Sequence, residues 1–225
     1  MFVAIIFIDF KKMKINVWVL MLGVTLAMGS CAGNTAKEGE DEIYYDAPED
    51  ARNSGAVYMI NPEKSYIEWY GNMVGMYEHS GRVRFNEGSL VLEDMNIKRG
   101  DFIVEMNTIE STDSDDLYED ASREDLVNHL KSGDFFYTQQ FPSAMFELIN
   151  HKGSEINGLL TIKGVTKPVT VTDVEVGVRE NLIKVFGTLV FDRREFDVHF
   201  EYPVKDMVIS NDIELDIVIY GEIAG

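Results

Sequence analysis

The chain has 225 residues, a formal net charge of −19 and a pI near 4.5. That balance argues against a grip on a nucleic-acid backbone, which needs clustered Lys and Arg, and it repels an untethered chain from anionic membrane surfaces. With 45% hydrophobic residues and one Cys, the length suits one domain with a sizeable core plus a leader or tail, and no internal disulfide framework is available.

The first element is a leader. Lys11, Lys12 and Lys14 precede the apolar run Ile15 to Met28, which is followed by Gly29-Ser30 and then Cys31. This is the charged, apolar and small-residue order of a signal peptide, and the run is shorter than the ~20 residues of a comfortable membrane span. Cys31 directly after small residues resembles the lipobox of bacterial lipoproteins, although Met28 stands where Leu is usual. Lipidation at Cys31 is expected, with an ordinary signal peptide as the alternative. MFVAIIFIDF ahead of the lysines is an unusual beginning, so Met13 is a candidate true start. Loss of residues 1–30, which carry one acid (Asp9) and three bases, would take the net charge from −19 to −21. Residues 31–54 then form the lipidated Cys and an acidic, Pro-containing tether without periodicity. Glu38, Glu40, Asp41 and Glu42 resemble a surface-export signal, but a solvated spacer is the simpler reading.

From Ala56 onward the pattern has period two. Ile213, Leu215, Ile217 and Ile219 alternate with Glu214, Asp216, Val218 and Tyr220, a half-buried strand. Val169 and Val171 set one phase, and Val174, Val176 and Val178 set the other. The slip at Asp173 predicts a β-bulge. Further strands are expected at 58–60, 65–70, 81–85, 89–93, 102–109, 144–149, 158–163 and 183–191. Turn signals include Asn61-Pro62, Asn86-Glu87-Gly88, Arg99-Gly100-Asp101 and His151-Lys152-Gly153. Many closely spaced strands predict a sandwich or barrel. One helix interrupts them. Ser122 and Asp125 form a capping-box pattern, Leu126 and Leu130 share a face, Lys131 lies in the last turn, and Gly133 is placed to supply a left-handed stop. Three turns need an apolar surface to dock on.

LVNHLKSGDFFYTQQFPSAMFELI followed by INGLLTIKGVTKPVTV resembles the YceI-like family of polyisoprenoid-binding, lipocalin-like proteins. The matching positions run from Leu130, Lys131, Ser132, Asp134, Phe135 and Phe136 through Pro142 and Phe146 to Gly158, Leu160, Thr161, Ile162, Gly164, Val165, Thr166 and Pro168. The resemblance covers about the last two-thirds of the chain. Gly75 to Gly81 is similar to the family's H-x-G segment. Asn61-Pro62-Glu63-Lys64-Ser65 lacks the His of the family's D-P-x-H-S, and Arg194-Glu195-Phe196-Asp197 lacks the Gly of its R-x-D-F-G. The resemblance implies an all-β fold: an extended antiparallel lipocalin-like barrel of about eight strands over residues 55–225, one short helix packed on it, and a long isoprenoid or similar amphiphile in the lumen.

Candidate lumen residues are Trp69, Met73, Met76, Phe85, Phe102, Met106, Leu130, Phe135, Phe136, Phe146, Phe186 and Phe191, each weighed against an ordinary core role. Around Phe186 to Phe191 both strand faces are apolar, so one is expected to meet the lumen and the other the helix. His79 is either a headgroup contact or a hydrogen-bonded structural His. Asp197, His199 and Glu201 are expected on the solvent face of a strand rather than as metal ligands. The acidic run Thr112 to Asp125 lacks an EF-hand's order and reads as a solvated loop. G-x-S-x-G, phosphate-loop and C-x-x-C patterns are absent from the sequence. The expected function is that of an envelope lipoprotein, held to the membrane by its N-terminal lipid and facing periplasm or surface. It would sequester a hydrophobic lipid with no cofactor, catalytic residue or metal. An enzyme using the barrel as its pocket and a structural module with a filled core are the rival readings. Homodimerisation is left open.

Overall fold

The structure, a computed structural model, describes residues 55–73, 77–118, 122–200 and 209–224. Nine strands are arranged in chain order: β1 (Ala56–Ile60), β2 (Tyr66–Met73), β3 (Tyr77–Glu93), β4 (Asn96–Ser111), β5 (Ser143–Lys152), β6 (Glu155–Ile162), β7 (Val165–Arg179), β8 (Leu182–Asp192) and β9 (Ile209–Ile223). Helix α1 (Arg123–Lys131) and short 3-10 turns at Asp115–Leu117 and Arg193–Phe196 complete the described elements. Strands β2 to β9 pair antiparallel around a closed ring of eight staves, sealed by β2–β9 and β3–β4. Closure gives each of these staves a partner on both sides over at least part of its length.

The first stave is built from two pieces. β1 pairs with the far ends of β3 and β9, and β2 pairs with the same two strands nearer the opposite end. Asn61 to Ser65 intervene, the position of the Asn-Pro turn signal. The Asn61 amide donates to the Tyr220 carbonyl at 2.7 Å. The buried Ser65 hydroxyl donates to that carbonyl (3.1 Å) and accepts from the Tyr220 amide (3.0 Å). The wall therefore stays hydrogen-bonded across the insertion.

Alternation decides the faces. Ala56, Tyr58 and Ile60 point into the barrel, and Val57 and Met59 are exposed. The phase slip at Asp173 is a bulge as predicted: Asp173 has φ 51°, and the β7–β8 register shifts between Thr172 and Glu175. β7 pairs with β8 only from Thr172 onward, so its first half is hydrogen-bonded to β6 alone. Pro168 sits in that half, where a missing N–H need not interrupt a second ladder.

Two expected turns are not turns. Asn86-Glu87-Gly88 lies inside the 17-residue β3 and Arg99-Gly100-Asp101 inside β4, where irregular register absorbs the turn-prone residues. Residues 197–200 form no strand; Arg193–Phe196 is a 3-10 turn ended by Asp197 in the left-handed region. Asp197 and His199 are therefore not on a common strand face, and Glu201 lies outside the described residues. Asp197 (φ 60°) stands where the family motif has Gly, and Asp is among the few residues that tolerate that backbone.

Helix α1 begins with the predicted capping box: the Ser122 hydroxyl accepts from the Asp125 amide, and the Asp125 carboxylate from the Ser122 amide. Gly133 does not supply its stop. The chain leaves through an extended Ser132, whose amide and hydroxyl both donate to the His129 carbonyl, while the Phe136 and Thr138 amides take the Leu130 and Lys131 carbonyls. The helix packs on β4, with Leu130 buried and Leu126 against the core. It does not cover β8, whose outward Val190 is 55% exposed.

At the opposite end β4 and β5 pair only through Asp101–Glu105 and Ser143–Glu147. Past the ladder, the Ile97 amide donates to His151 Nδ1 (3.0 Å), so the imidazole carries its proton on Nε2, which donates to the Gly153 carbonyl (2.9 Å). Burial, aided by nearby Lys98 and opposed by the Gly153 contact, lowers the His151 pKa. A His kept neutral by folding contributes stability that is full above its ordinary pKa of ~6.5 and is lost as pH falls through its lower folded value. Denaturant midpoints at pH 7.5 and 5.5 should therefore show the wild type losing on the order of 1 kcal/mol more than His151→Gln; equal losses would refute the bridging role.

A candidate ligand-binding lumen

The interior is divided into three levels. At the closed end Tyr58, Leu92, Val178 and Ile183 are almost fully buried against one another's strands. At the other end lie the α1 connection, the 3-10 turn Arg193–Phe196 and the β6–β7 hairpin. There His129, Phe135, Phe136 and Phe200 meet ring to ring, with centroids 4.4–6.0 Å apart, and Phe191 meets Phe196 edge-on at 5.3 Å. Between these levels is a cavity of about 80 Å3, taken as the space open to the centre of a water-sized sphere.

Among the described residues, every side chain lining this cavity is apolar. Ile67, Leu90, Leu160, Val185, Leu189 and Ile217 come from five different strands. Phe85, Phe102, Phe146 and Phe186 add the aromatic part. Phe85, Phe102 and Phe146 run along β3, β4 and β5, with centroids 6.2 and 6.4 Å apart. Such a surface attracts hydrocarbon and offers a polar group no partner. The hydroxyl of Tyr58, fully buried at the closed end, has no hydrogen-bond partner among the described residues, and burial raises its pKa.

The residues expected to face a ligand divide accordingly. Phe85, Phe102, Phe146 and Phe186 line the cavity. Trp69, Met106, Leu130, Phe135, Phe136 and Phe191 belong to the apolar cluster but lie outside the cavity lining. Met76, the Met73 side chain and Cys31 lie outside the described residues.

His79 points inward near the start of β3, with Nδ1 2.6 Å from Asp113 Oδ2. The same carboxylate accepts from the Tyr118 hydroxyl (2.7 Å), the Ser80 amide (2.6 Å) and the Ser80 hydroxyl (2.9 Å). Burial alone would raise the Asp113 pKa, but bonds from Tyr118, Ser80 and His79 outweigh it and hold the carboxyl below the ordinary carboxylate value. An ionised carboxylate only accepts, so His79 carries a proton on Nδ1. Arg123, the first residue of α1, donates to the Asp113 and Ser111 carbonyls and pairs with Asp115 at 2.7 Å. The acidic run is thus no plain solvated loop: its Asp113 side chain is 2% exposed and ties β3, the end of β4 and α1 together. Composition hid this residue among its exposed neighbours. The cue was its spacing, two residues past the end of a long strand.

An eight-stave closed barrel with a helix packed on its wall and an apolar lumen defines a lipocalin-like fold, and sequence comparison gives the family. A family model described as a YceI-like domain matches residues 58–220, so the chain belongs to the YceI-like family. A UPF0312 protein of Pseudomonas aeruginosa (strain LESB58) is 33% identical over 122 residues, 52% of this chain and 60% of that protein. The match thus spans well under two-thirds of that relative's length. A UPF0312 protein of Shewanella baltica is 28% identical over 187 residues, 75% of this chain and 88% of the relative. Among solved structures, a polyisoprenoid binding domain from Saccharophagus degradans shares the fold with TM-score 0.54 at 12% identity, covering 75% of this chain and 99% of that one. Burkholderia cenocepacia BcnA does so with TM-score 0.52 at 15% identity, covering 72% and 98%.

Proposed function

We propose that this protein is a cell-envelope lipoprotein that sequesters the apolar tail of an isoprenoid or similar amphiphilic lipid in the barrel lumen. The observation that carries the reading is the cavity itself: a space in mid-barrel whose lining, among the described residues, is wholly apolar. Affinity would come from removing hydrocarbon from water, at ~25 cal/mol per Å2 of apolar area. The solved polyisoprenoid binding domain of the same fold supports a lipid of this class. Binding rather than catalysis is supported by the lining, in which, among the described residues, no side chain is titratable. The leader and Cys31 support attachment to the membrane through an N-terminal lipid.

Mass spectrometry of the organic extract of natively purified protein tests the reading. A stoichiometric long-chain lipid is expected. A clean extract, together with no uptake of isoprenoid probes, refutes it. Intact-mass analysis of the membrane fraction tests the anchor, with the mass of a diacylglyceryl-modified Cys31 expected and an unmodified, soluble chain refuting it.

A further inference from the structure

The geometry points to glycines in the barrel wall, Gly88, Gly100 and Gly158, as the residues that set the bore of the lumen and restrict its occupant to a single slender hydrocarbon chain. This rests on the lumen being the lipid site. Two aromatic rings that line the cavity lie against these glycines. A Cβ at Gly100 would stand 2.9 Å from Phe102 Cε2, and one at Gly88 would stand 2.7 Å from Phe102 Cδ1. A Cβ at Gly158 would come within 2.2 Å of Phe146 Cζ. The glycines sit beneath those rings on β3, β4 and β6, and the rings stand on β4 and β5. Each missing Cβ lets a ring lie down along the wall, and any side chain there drives the ring into the lumen. None of the three has positive φ, so backbone conformation does not require Gly at these positions.

The space left is narrow. Leu215 and Ile219, which both line the cavity on β9, are ~13 Å apart at ~3.3 Å per residue. A free volume of about 80 Å3 spread over that length gives a bore of only ~5–6 Å once the radius of a water-sized sphere is added. That is the width of one hydrocarbon chain and less than that of a fused-ring skeleton. The occupant class is therefore a lipid whose buried part is acyclic, and sterol-like molecules are excluded.

Gly100 is the position to test, because the nearest atoms a methyl group would meet there belong to the Phe102 ring, with Leu148 Cβ next at 3.5 Å. Gly158 is less suitable, since its Cβ would also meet the Glu147 carbonyl at 2.7 Å. Full-length protein, stripped of lipid on a hydrophobic resin, is titrated with cis-parinaric acid as the chain probe and dehydroergosterol as the ring probe. The wild type should bind the first and not the second. Gly100→Ala should weaken the chain probe by about tenfold or more, the loss of burial of about two methylenes. Gly100→Ala/Phe102→Leu should restore it, and Phe102→Ala should admit the sterol. Wild type that binds both probes equally overturns the bore argument alone, as does a folded Gly100→Ala with unchanged chain affinity. If Gly100→Ala does not fold, Phe102→Ala decides, and continued exclusion of the sterol overturns the proposal. Wild type that binds neither probe brings down the lumen reading, and this proposal with it.

Discussion

Asp113→Ala is expected to destabilise the fold by roughly 3 kcal/mol, since it removes one buried acceptor from four donor contacts at once. The Ser80 amide and hydroxyl, the Tyr118 hydroxyl and His79 Nδ1 each lose an acceptor. The effect has a defined pH dependence. The folded Asp113 pKa lies below its ordinary value, so its contribution is full above ~3.9 and disappears as pH falls through the lower folded value. Urea denaturation at pH 7 and at pH 3 measures this. A large wild-type advantage at neutral pH that shrinks in acid is expected, and a variant as stable as wild type at pH 7 would show that the hub holds nothing. Because Arg123 ties α1 to the same loop, hydrogen exchange in α1 should rise in this variant more than in β7 or β8.

Arg193→Ala should cost on the order of 2–4 kcal/mol by stranding the buried Val198 carbonyl and the half-buried Ser210 carbonyl. Arg193 is 3% exposed. Its guanidinium donates to the carbonyls of Ser210 (3.0 Å) and Val198 (2.8 Å), reaches Asn211 Oδ1 at 3.5 Å, and lies 5.8 Å from the centre of the Phe135 ring. One side chain thus joins the 3-10 turn, the start of β9 and the aromatic cluster above the lumen. Arg193→Lys should fail to rescue, because a point-charge ammonium cannot reproduce a planar fork that serves separate acceptors. Thermal melts of the three proteins check this, and a Lys variant that melts with the wild type would overturn the fork argument. The loosened cluster should also speed release of any lumen-bound lipid, measurable as a faster off-rate for cis-parinaric acid.

Local rules made much of this architecture legible in the sequence. The alternation in β9, the phase slip at Asp173 and the Ser122–Asp125 cap depend on neighbours one to four residues apart, and each was read correctly. The two motif blocks carried the family resemblance, and the match over residues 58–220 agrees with it. Local rules failed where a distant strand overrode them. Asn86-Glu87-Gly88 and Arg99-Gly100-Asp101 have turn chemistry, but pairing between β3 and β4 holds both in the wall. The residues 197–200 have strand-like alternation, but Arg193 draws the chain into a turn through the Val198 carbonyl.

By itself the sequence pattern determined a strand-rich sandwich or barrel with one capped helix, because periodicity and capping are properties of the covalent neighbourhood, and the two motif blocks narrowed it to a barrel through the family resemblance. Only the tertiary structure decided which aromatic residues line a space and which seal it. Phe102 and Phe135 look alike in the sequence. One lies over two glycines beside a cavity, and the other is packed among His129, Phe136 and Phe200. The physical reason is that a cavity is a small volume left over when many side chains meet across the barrel. Its existence rests on contacts between residues far apart in the chain, from Gly88 and Phe102, 14 positions apart, to Ile67 and Ile217, 150 positions apart, which no local pattern records.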